Sequence, residues 1–194
     1  MAASQTHQRK LVVFNMVTLD GFFEGPNQDI SWHHVDEEFN EFAIEQLQTV
    51  GAILFGRVTY AGMASYWPTD IALSDDPVVA GLMNGAPKIV FSKTLTRADW
   101  SHTTLINGDL AQEIARLKQE PGKDLFVFGS GNLVANMSRL GLVDEYRLIV
   151  NPVVLGHGTP MFQPGERLNL KLLKTRVFKS GNVLLFYEPV PAAD

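Results

Sequence analysis

Short apolar runs recur along this chain, and they constrain its fold more than any other feature. They are Leu11–Phe14, Ala52–Phe55, Lys88–Phe91 and Leu125–Phe128, and Thr103–Ile106 is a further candidate. Runs of four residues that are apolar at nearly every position indicate strands buried on both faces, which is typical of parallel sheets. Parallel strands need crossover connections, so helices are expected between them.

Segments with helical spacing do lie between these runs. Apolar residues recur at helical intervals over 36–49, where Asp36 is placed to cap the helix. A short helix is predicted at 59–65, and another begins after Asp109. A further helix is expected to have Asn132 as its cap, an inner face of Leu133, Met137 and Leu140, and Gly141 as its terminator.

The end of the chain lacks this alternation. Tyr146–Val150 predicts one more strand, and Leu168–Phe178 and Val183–Tyr187 predict two strands joined by a turn at Ser180–Asn182. The predicted fold class is therefore α/β, with a mixed, mostly parallel central sheet flanked by helices and a C-terminal antiparallel hairpin. We expect a single domain over 1–194, with 1–9 and 190–194 as frayed tails.

Composition excludes several classes of function. The 194 residues are 45% hydrophobic and 19% charged, which is enough to bury one core. A net charge of −5 argues against a nucleic-acid partner, and the absence of cysteine excludes thiol catalysis and zinc–thiolate sites. His33 and His34 have no ligand partner at metal-binding spacing, so no metal is expected. Without a leader or an apolar span, a soluble cytoplasmic protein with no membrane partner is the expectation.

The turn after the run Leu125–Phe128 is the first candidate site. Gly129, Ser130, Gly131 and Asn132 connect a strand to a helix whose first turn includes Leu133. Such a turn leaves backbone N–H groups free, and the helix dipole favours an anion there, so it suits a dinucleotide pyrophosphate. The alternative is a tight turn without a ligand, because the motif lacks the third glycine of the full fingerprint.

Two other strand ends carry similar residues. Gly56, Arg57 and Thr59 follow one strand, and Ser92 and Lys93 follow the next. Open α/β sheets bind ligands outside the carboxyl ends of their strands, and the two cations suit an adenosine 2′-phosphate. Taken singly, each is more often solvated surface or, for Thr59, a helix cap. Three strands that each end in residues suited to an anion, on what should be one edge of the sheet, together favour a cofactor site.

A further candidate segment follows the first strand. Thr18 and Asp20 open a long polar loop that extends to Trp32, and such a loop is either a lid or a simple turn. Asp36 is a helix cap or, if it faces the cleft, an acid that orients or protonates a heterocycle.

These segments resemble known reductases. Ala52–Tyr60, Pro87–Lys93 and Phe126–Gly131 resemble the cofactor-binding segments of dihydrofolate reductases. Thr18–Gly21, Gly141–Glu145 and Pro152–Gly158 are more similar to the reductase domain of riboflavin biosynthesis and its stand-alone relatives. The family's Gly-Gly pair is Gly129-Ser130 here, and Asp36 matches the acid of dihydrofolate reductases only approximately.

The resemblance implies an NADPH-dependent reductase. Thr18, Asp20 and the three strand ends would bind the cofactor, Trp32 would hold a small heterocyclic substrate, and Asp36 would be catalytic. The expected reaction is reduction of a ribosylaminopyrimidine in riboflavin synthesis, and the enzymatic alternative is a pterin or folate substrate. A non-catalytic binding protein on the same fold is the alternative from another class. A homodimer is a further expectation.

Overall fold

The computed structural model describes residues 8–162 and 167–191. The strands are β1 Leu11–Thr18, β2 Phe22–Glu24, β3 Val50–Gly56, β4 Lys88–Phe91, β5 Thr103–Ile106, β6 Asp124–Phe128, β7 Glu145–Asn151, β8 Thr159–Pro160, β9 Asn169–Val177 and β10 Val183–Val190. The helices are α1 Glu37–Leu47, α2 Arg57–Tyr66, α3 Asp70–Asp75, α4 Pro77–Gly85, α5 Leu110–Gln119 and α6 Gly131–Arg139.

Eight strands form the central sheet in the order β5-β4-β3-β6-β1-β7-β10-β9. The first six in this order are mutually parallel, whereas β10 runs antiparallel to both β7 and β9. Strands β2 and β8 form a separate antiparallel pair. The predicted fold class, a mostly parallel sheet ending in an antiparallel hairpin, is confirmed.

Alternation along the buried strands divides the core into two layers. In β6, Leu125 and Val127 point to the face covered by α5 and α6, and Phe126 and Phe128 point to the face covered by α1, α2 and α4. Every one of these side chains is at most 8% exposed. Burial on both faces explains why the strands appear in the sequence as continuous apolar runs.

Two helices between β3 and β4 were not predicted. Thr69 caps α3 by accepting a hydrogen bond from the N–H of Ala72, and Asp76 caps α4 by accepting one from Val79. Pro77 occupies the first turn of α4, where its missing N–H costs nothing. The cap and proline signals were therefore present, but both helices are short, with six and nine residues.

Other predicted details need correction. Leu140, expected on the inner face of α6, lies at its C-cap and is 43% exposed. Gly141 does end this helix, in a left-handed conformation with φ of 64°. In the predicted N-terminal tail, Arg9 is 7% exposed and its Nε donates to the carbonyl of Lys123 at 2.6 Å.

At the other end, β10 includes Val190. The remaining parts of the two predicted tails, apart from Gln8 and Pro191, lie outside the described residues. Within the described ranges, every helix is too short or too polar to cross a membrane.

Candidate functional site

The carboxyl ends of β4, β3 and β6 lie side by side at one edge of the sheet, as the sequence predicted. The chain leaves β3 towards β4 and leaves β6 in the opposite direction, towards β7. Diverging connections from adjacent parallel strands open a crevice at their carboxyl ends, which is where open α/β sheets bind ligands. Helices α2 and α6 both begin at this crevice, at Arg57 and Gly131.

The turn between β6 and α6 is built from two left-handed residues. Gly129 has φ of 64° and Ser130 has φ of 65°. Ser130 is 6% exposed, and its Oγ accepts a hydrogen bond from the N–H of Gly56 at 2.7 Å. The Gly129–Ser130 peptide bond is trans, as are all the others in the described ranges. The serine hydroxyl thus joins the ends of β3 and β6 across the crevice.

Ser130, not Asn132, occupies the N-cap position of α6, so the predicted cap is wrong. No side chain in the described part of the chain caps this helix. The N–H groups of its first turn, which include those of Gly131, Asn132 and Leu133, are therefore available to an anion. Asn132 is exposed and Leu133 is buried.

A side chain on either side of Ser130 would be crowded by its neighbours. A Cβ on Gly129 would lie 2.9 Å from Cγ2 of Thr59, and a Cβ on Gly131 would lie 2.6 Å from Cε1 and Cζ of Phe23. Real Cβ atoms essentially never approach other heavy atoms this closely. The turn therefore packs directly against α2 on one side and against β2 on the other.

The predicted phosphate-binding side chains lie at the neighbouring strand ends. The side chain of Arg57 is exposed and forms no hydrogen bond or ion pair with any described residue. Thr59 does not cap α2, because Gly56 is its N-cap and no side chain bonds there. Ser92 accepts hydrogen bonds from the N–H groups of Thr94 and Leu95, at 3.2 and 3.0 Å, and Lys93 is exposed.

At the end of β1, Thr18 and Asp20 bond to each other. Thr18 is 1% exposed, and its Oγ1 donates to Oδ1 of Asp20 at 2.6 Å. Asp20 also accepts from the backbone N–H groups of Leu155 at 3.3 Å and Gly156 at 2.7 Å. These bonds, that from Thr18 foremost, lower the pKa of the Asp20 carboxyl below its usual value. Two of the motifs that carry the resemblance, 18–21 and 152–158, are therefore in direct contact.

The predicted loop between Thr18 and Trp32 is more ordered than its composition indicated. It contains β2, which pairs with β8, and a 3-10 turn at Pro26–Gln28. Gly158 permits the pairing because a Cβ there would lie 2.4 Å from the carbonyl oxygen of Glu24. Whether the loop acts as a lid stays a prediction.

Two asparagines missed at the sequence level hold the segment between Trp32 and Asp36. Oδ1 of Asn151 accepts from the N–H of His34 at 3.0 Å, and Nδ2 of Asn182 donates to the carbonyl of His34 at 2.9 Å. Both side chains are at most 1% exposed. Because Asn151 ends β7 and Asn182 follows the hairpin turn, this segment is fixed against the same edge of the sheet.

The aromatic side chains of this segment pack on each other. The rings of Trp32 and His33 meet edge to face at 4.4 Å between centroids, and Nε1 of Trp32 donates to the carbonyl of Asp29 at 3.1 Å. Burial lowers the pKa of His33 to about 4, so the imidazole is neutral at pH 7. Its Nε2 is buried and has no hydrogen-bond partner among the described residues.

Asp36 caps α1, as predicted. Its Oδ1 accepts a hydrogen bond from the N–H of Phe39 at 2.8 Å. The carboxylate is half-buried, so its second oxygen is not committed to this bond. A catalytic role for Asp36 stays a prediction. The described residues contain no cluster of three or more His, Asp or Glu side chains that could hold a metal ion.

Solved structures share this architecture. A deaminase/5-amino-6-(5-phosphoribosylamino)uracil reductase from Thermotoga maritima superposes with a TM-score of 0.66 and 15% identity, over 94% of this chain and 57% of that one. Dihydrofolate reductase from Enterococcus faecalis, complexed with NADP(H), superposes with a TM-score of 0.64 and 13% identity. The match covers 94% of this chain and 97% of that one. The fold is therefore that of the dihydrofolate-reductase-like class.

Sequence comparison gives the family. The model of the RibD C-terminal domain matches residues 9–184, so the chain belongs to the RibD C-terminal domain family. The uncharacterized protein YyaP of Bacillus subtilis (strain 168) is 37% identical over 183 residues, which are 93% of this chain and 95% of YyaP. The resemblance seen in the motifs 18–21, 141–145 and 152–158 is confirmed.

Proposed function

We propose that this protein is an NADPH-dependent reductase of a pyrimidine-type heterocycle, similar to 5-amino-6-(5-phosphoribosylamino)uracil reductase. The observation that carries the proposal is the glycine-lined turn at 129–131, where an uncapped helix begins at the switch point of a parallel sheet. Family membership supports the reductase, and the Thermotoga maritima protein supports the substrate class.

The residues at the crevice fit such a cofactor. The N–H groups at the start of α6, at Gly131 to Leu133, would receive the pyrophosphate, and Gly129 leaves it room to approach. Arg57, with Lys93 and Ser92, would hold the 2′-phosphate, because a guanidinium that has no partner among the described residues can bind a phosphate bidentately. Thr59 would contribute its hydroxyl. The cofactor, when bound, supplies the hydride.

The other half of the edge would hold the substrate. Thr18 ends β1 beside the 152–158 segment and would lie near the nicotinamide, while Trp32 offers an aromatic face to a planar heterocycle. Asp36 would orient the ring or donate a proton to a ring nitrogen through the oxygen not used in capping. Asn151 and Asn182 fix the backbone between Trp32 and Asp36.

Cofactor binding is the first test. NADPH and NADH are titrated against the purified protein and the Arg57→Gln, Lys93→Gln and Arg116→Gln variants. Arg116 is the control, since it lies on α5 in ion pairs with Glu113 and Glu120. We expect Arg57→Gln to weaken NADPH about tenfold and NADH much less, because only NADPH carries the 2′-phosphate. Absence of NADPH binding up to about 1 mM would refute the proposal.

Turnover is the second test. Loss of NADPH absorbance is followed with 5-amino-6-(5-phosphoribosylamino)uracil and, for the folate alternative that the Enterococcus faecalis structure favours, with dihydrofolate. Asp36→Asn keeps a residue that caps helices well, so it should preserve stability and cofactor affinity but abolish turnover. Retained turnover would remove Asp36 from the chemistry. NADPH binding without turnover of any heterocycle would favour the non-catalytic alternative.

We also propose a homodimer formed through the C-terminal strands. Strand β9 is one of the two edge strands of the sheet, and its Leu173 and Val177 are 43% and 68% exposed. An edge strand has unpaired backbone N–H and C=O groups, and exposed apolar side chains on it favour pairing with another copy. Sedimentation of the wild type and of Val177→Lys tests this, and a monomeric wild type contradicts it.

A further inference from the structure

Asp20 connects two segments that are far apart in the sequence. Its carboxylate accepts hydrogen bonds from the hydroxyl of Thr18 and from the backbone N–H groups of Leu155 and Gly156. We call these three bonds the clasp. The side chain is exposed, yet both of its oxygens are engaged. The clasp therefore joins the end of β1 to the segment that follows β7.

The clasp lies within a larger paired unit. The N–H of Leu19 donates to the carbonyl of Val153 at 2.8 Å, and the N–H of Met161 donates to that of Gly21 at 2.9 Å. Strands β2 and β8 pair further along the same two segments. Residues 18–24 and 152–161, which we call the double loop, are thus held together along their length. Moving one segment moves the other.

The double loop reaches the turn that starts α6 through one side chain. The ring of Phe23, the central residue of β2, lies so close to Gly131 that a Cβ there would be 2.6 Å from Cε1 and Cζ. This ring also packs against the core layer that contains Leu133 and Val134 of α6. The position of the double loop therefore decides where Phe23 sits against the first turn of α6.

A direct contact between Asp20 and a phosphate is unfavourable. The carboxylate is negatively charged, and three of its roughly four lone-pair sites already accept hydrogen bonds from donors in both segments. Placing it against an anion would bring like charges together and remove it from those donors. These contacts fit an indirect role for Asp20, through other residues, better than a role as a ligand of the cofactor.

We infer that Asp20 is a positioning residue, which holds the double loop so that Phe23 supports the start of α6. It acts on the anion-binding turn through Phe23 and not as a ligand of the cofactor. The inference rests on the proposed function only where it concerns NADPH. The clasp itself is a property of the fold and is tested without a cofactor.

The first experiment measures the clasp alone. Hydrogen exchange at the amides of Leu155 and Gly156 is compared among the wild type, Asp20→Asn and the control Asp75→Asn, an exposed carboxylate on α3. Asparagine keeps the shape of aspartate but loses the charge, so we expect exchange about tenfold faster in Asp20→Asn alone. Unchanged exchange would overturn the clasp and the inference with it.

The second experiment asks whether Asp20 acts through Phe23. NADPH affinity is measured for Asp20→Asn, Phe23→Leu and the double variant, with Phe23→Met as a second substitution should leucine prevent folding. We expect each single change to weaken NADPH about three- to tenfold and the double variant to be no weaker than Phe23→Leu. If the loss of NADPH affinity in the double variant equals the product of the two single losses, the residues act independently and the inference is overturned. It is also overturned if Asp20→Asn binds NADPH as tightly as Asp75→Asn does.

The two experiments also separate this inference from the proposed function. If the wild type does not bind NADPH, the proposed function is refuted together with the cofactor half of the inference. The exchange rates still decide whether the clasp exists. If NADPH binds normally to Asp20→Asn although its amides exchange faster, only the positioning role is refuted.

Discussion

The hydroxyl of Ser130 accepts a hydrogen bond from the backbone N–H of Gly56 at 2.7 Å, which ties the carboxyl end of β6 to that of β3. The serine adopts a left-handed conformation with φ of 65° and ψ of 60°, which costs a non-glycine residue about 1–2 kcal/mol. The hydrogen bond offsets that cost by satisfying a backbone donor at the crevice.

Removing the hydroxyl should therefore destabilise the protein. In Ser130→Ala the N–H of Gly56 loses its acceptor while the strained backbone remains, so we expect the free energy of unfolding to fall by about 1–3 kcal/mol. Ser130→Gly relieves the strain and should lose less. Urea denaturation measures both, with the exposed Ser65→Ala as control. A stability of Ser130→Ala equal to that of the control would mean that this bond contributes nothing.

Gly129 and Gly141 have the same φ of 64° but different surroundings. A Cβ on Gly129 would meet Thr59 at 2.9 Å, whereas one on Gly141 would have nothing within 4 Å. Both alanine variants should lose about 1–2 kcal/mol from the left-handed backbone, and Gly129→Ala should lose a further ~1–3 kcal/mol from overpacking. Thermal and urea unfolding of the two variants test this. Equal losses would show that Thr59 moves aside freely.

The strand ends were predictable because they depend on local pattern and on a general property of parallel sheets. The predicted bounds of Lys88–Phe91 and Thr103–Ile106 match β4 and β5. Once these strands are parallel, their carboxyl ends must share an edge, and so the residues after them converge. The carboxyl ends share an edge whatever the order of the strands, so Arg57 and the 129–131 turn could be placed at that edge from the sequence.

The contacts that complete the site were not predictable in the same way. Phe23 against Gly131 and Asn182 against the backbone of His34 join residues more than a hundred positions apart. Their pairing depends on β2 meeting β8 and on the hairpin turn lying beside the end of β7. Nothing in the local sequence of either partner specifies the other. The cap of α6 was misplaced for a related reason, because Ser130 uses its hydroxyl across the crevice instead of along the helix.

Lys88 should make stability depend on alkaline pH. It is 1% exposed at the amino end of β4, where its ammonium donates to the carbonyls of Asn84 and Ala86 and lies 4.5 Å from the ring centroid of Trp100. Burial lowers its pKa from 10.5 to about 8. Between these values the unfolded chain binds more protons than the folded one, so stability should rise as pH increases from 8 to 10.

Urea denaturation at pH 7 to 10 tests the role of Lys88. The rise should disappear in Lys88→Met, because methionine does not titrate. Lys179→Met replaces an exposed lysine and should keep the wild-type slope. A rise that persists unchanged in Lys88→Met would assign it to another group.

His33 should produce a dependence of the same sign at acidic pH. Burial lowers its pKa from 6.5 to about 4, so the folded protein holds the imidazole neutral while the unfolded chain binds a proton between these values. The stabilisation is complete above pH 6.5 and is lost as pH falls towards 4, by at most about 1.4 kcal/mol per pH unit. Between pH 7 and pH 4, the free energy of unfolding should therefore fall less steeply in His33→Gln than in the wild type. His102 is an exposed histidine, so the control variant His102→Asn should follow the wild type. If His33→Gln and the wild type lose stability in parallel, His33 is protonated as easily in the folded protein as in the unfolded chain, and the ring next to Trp32 is accessible to water.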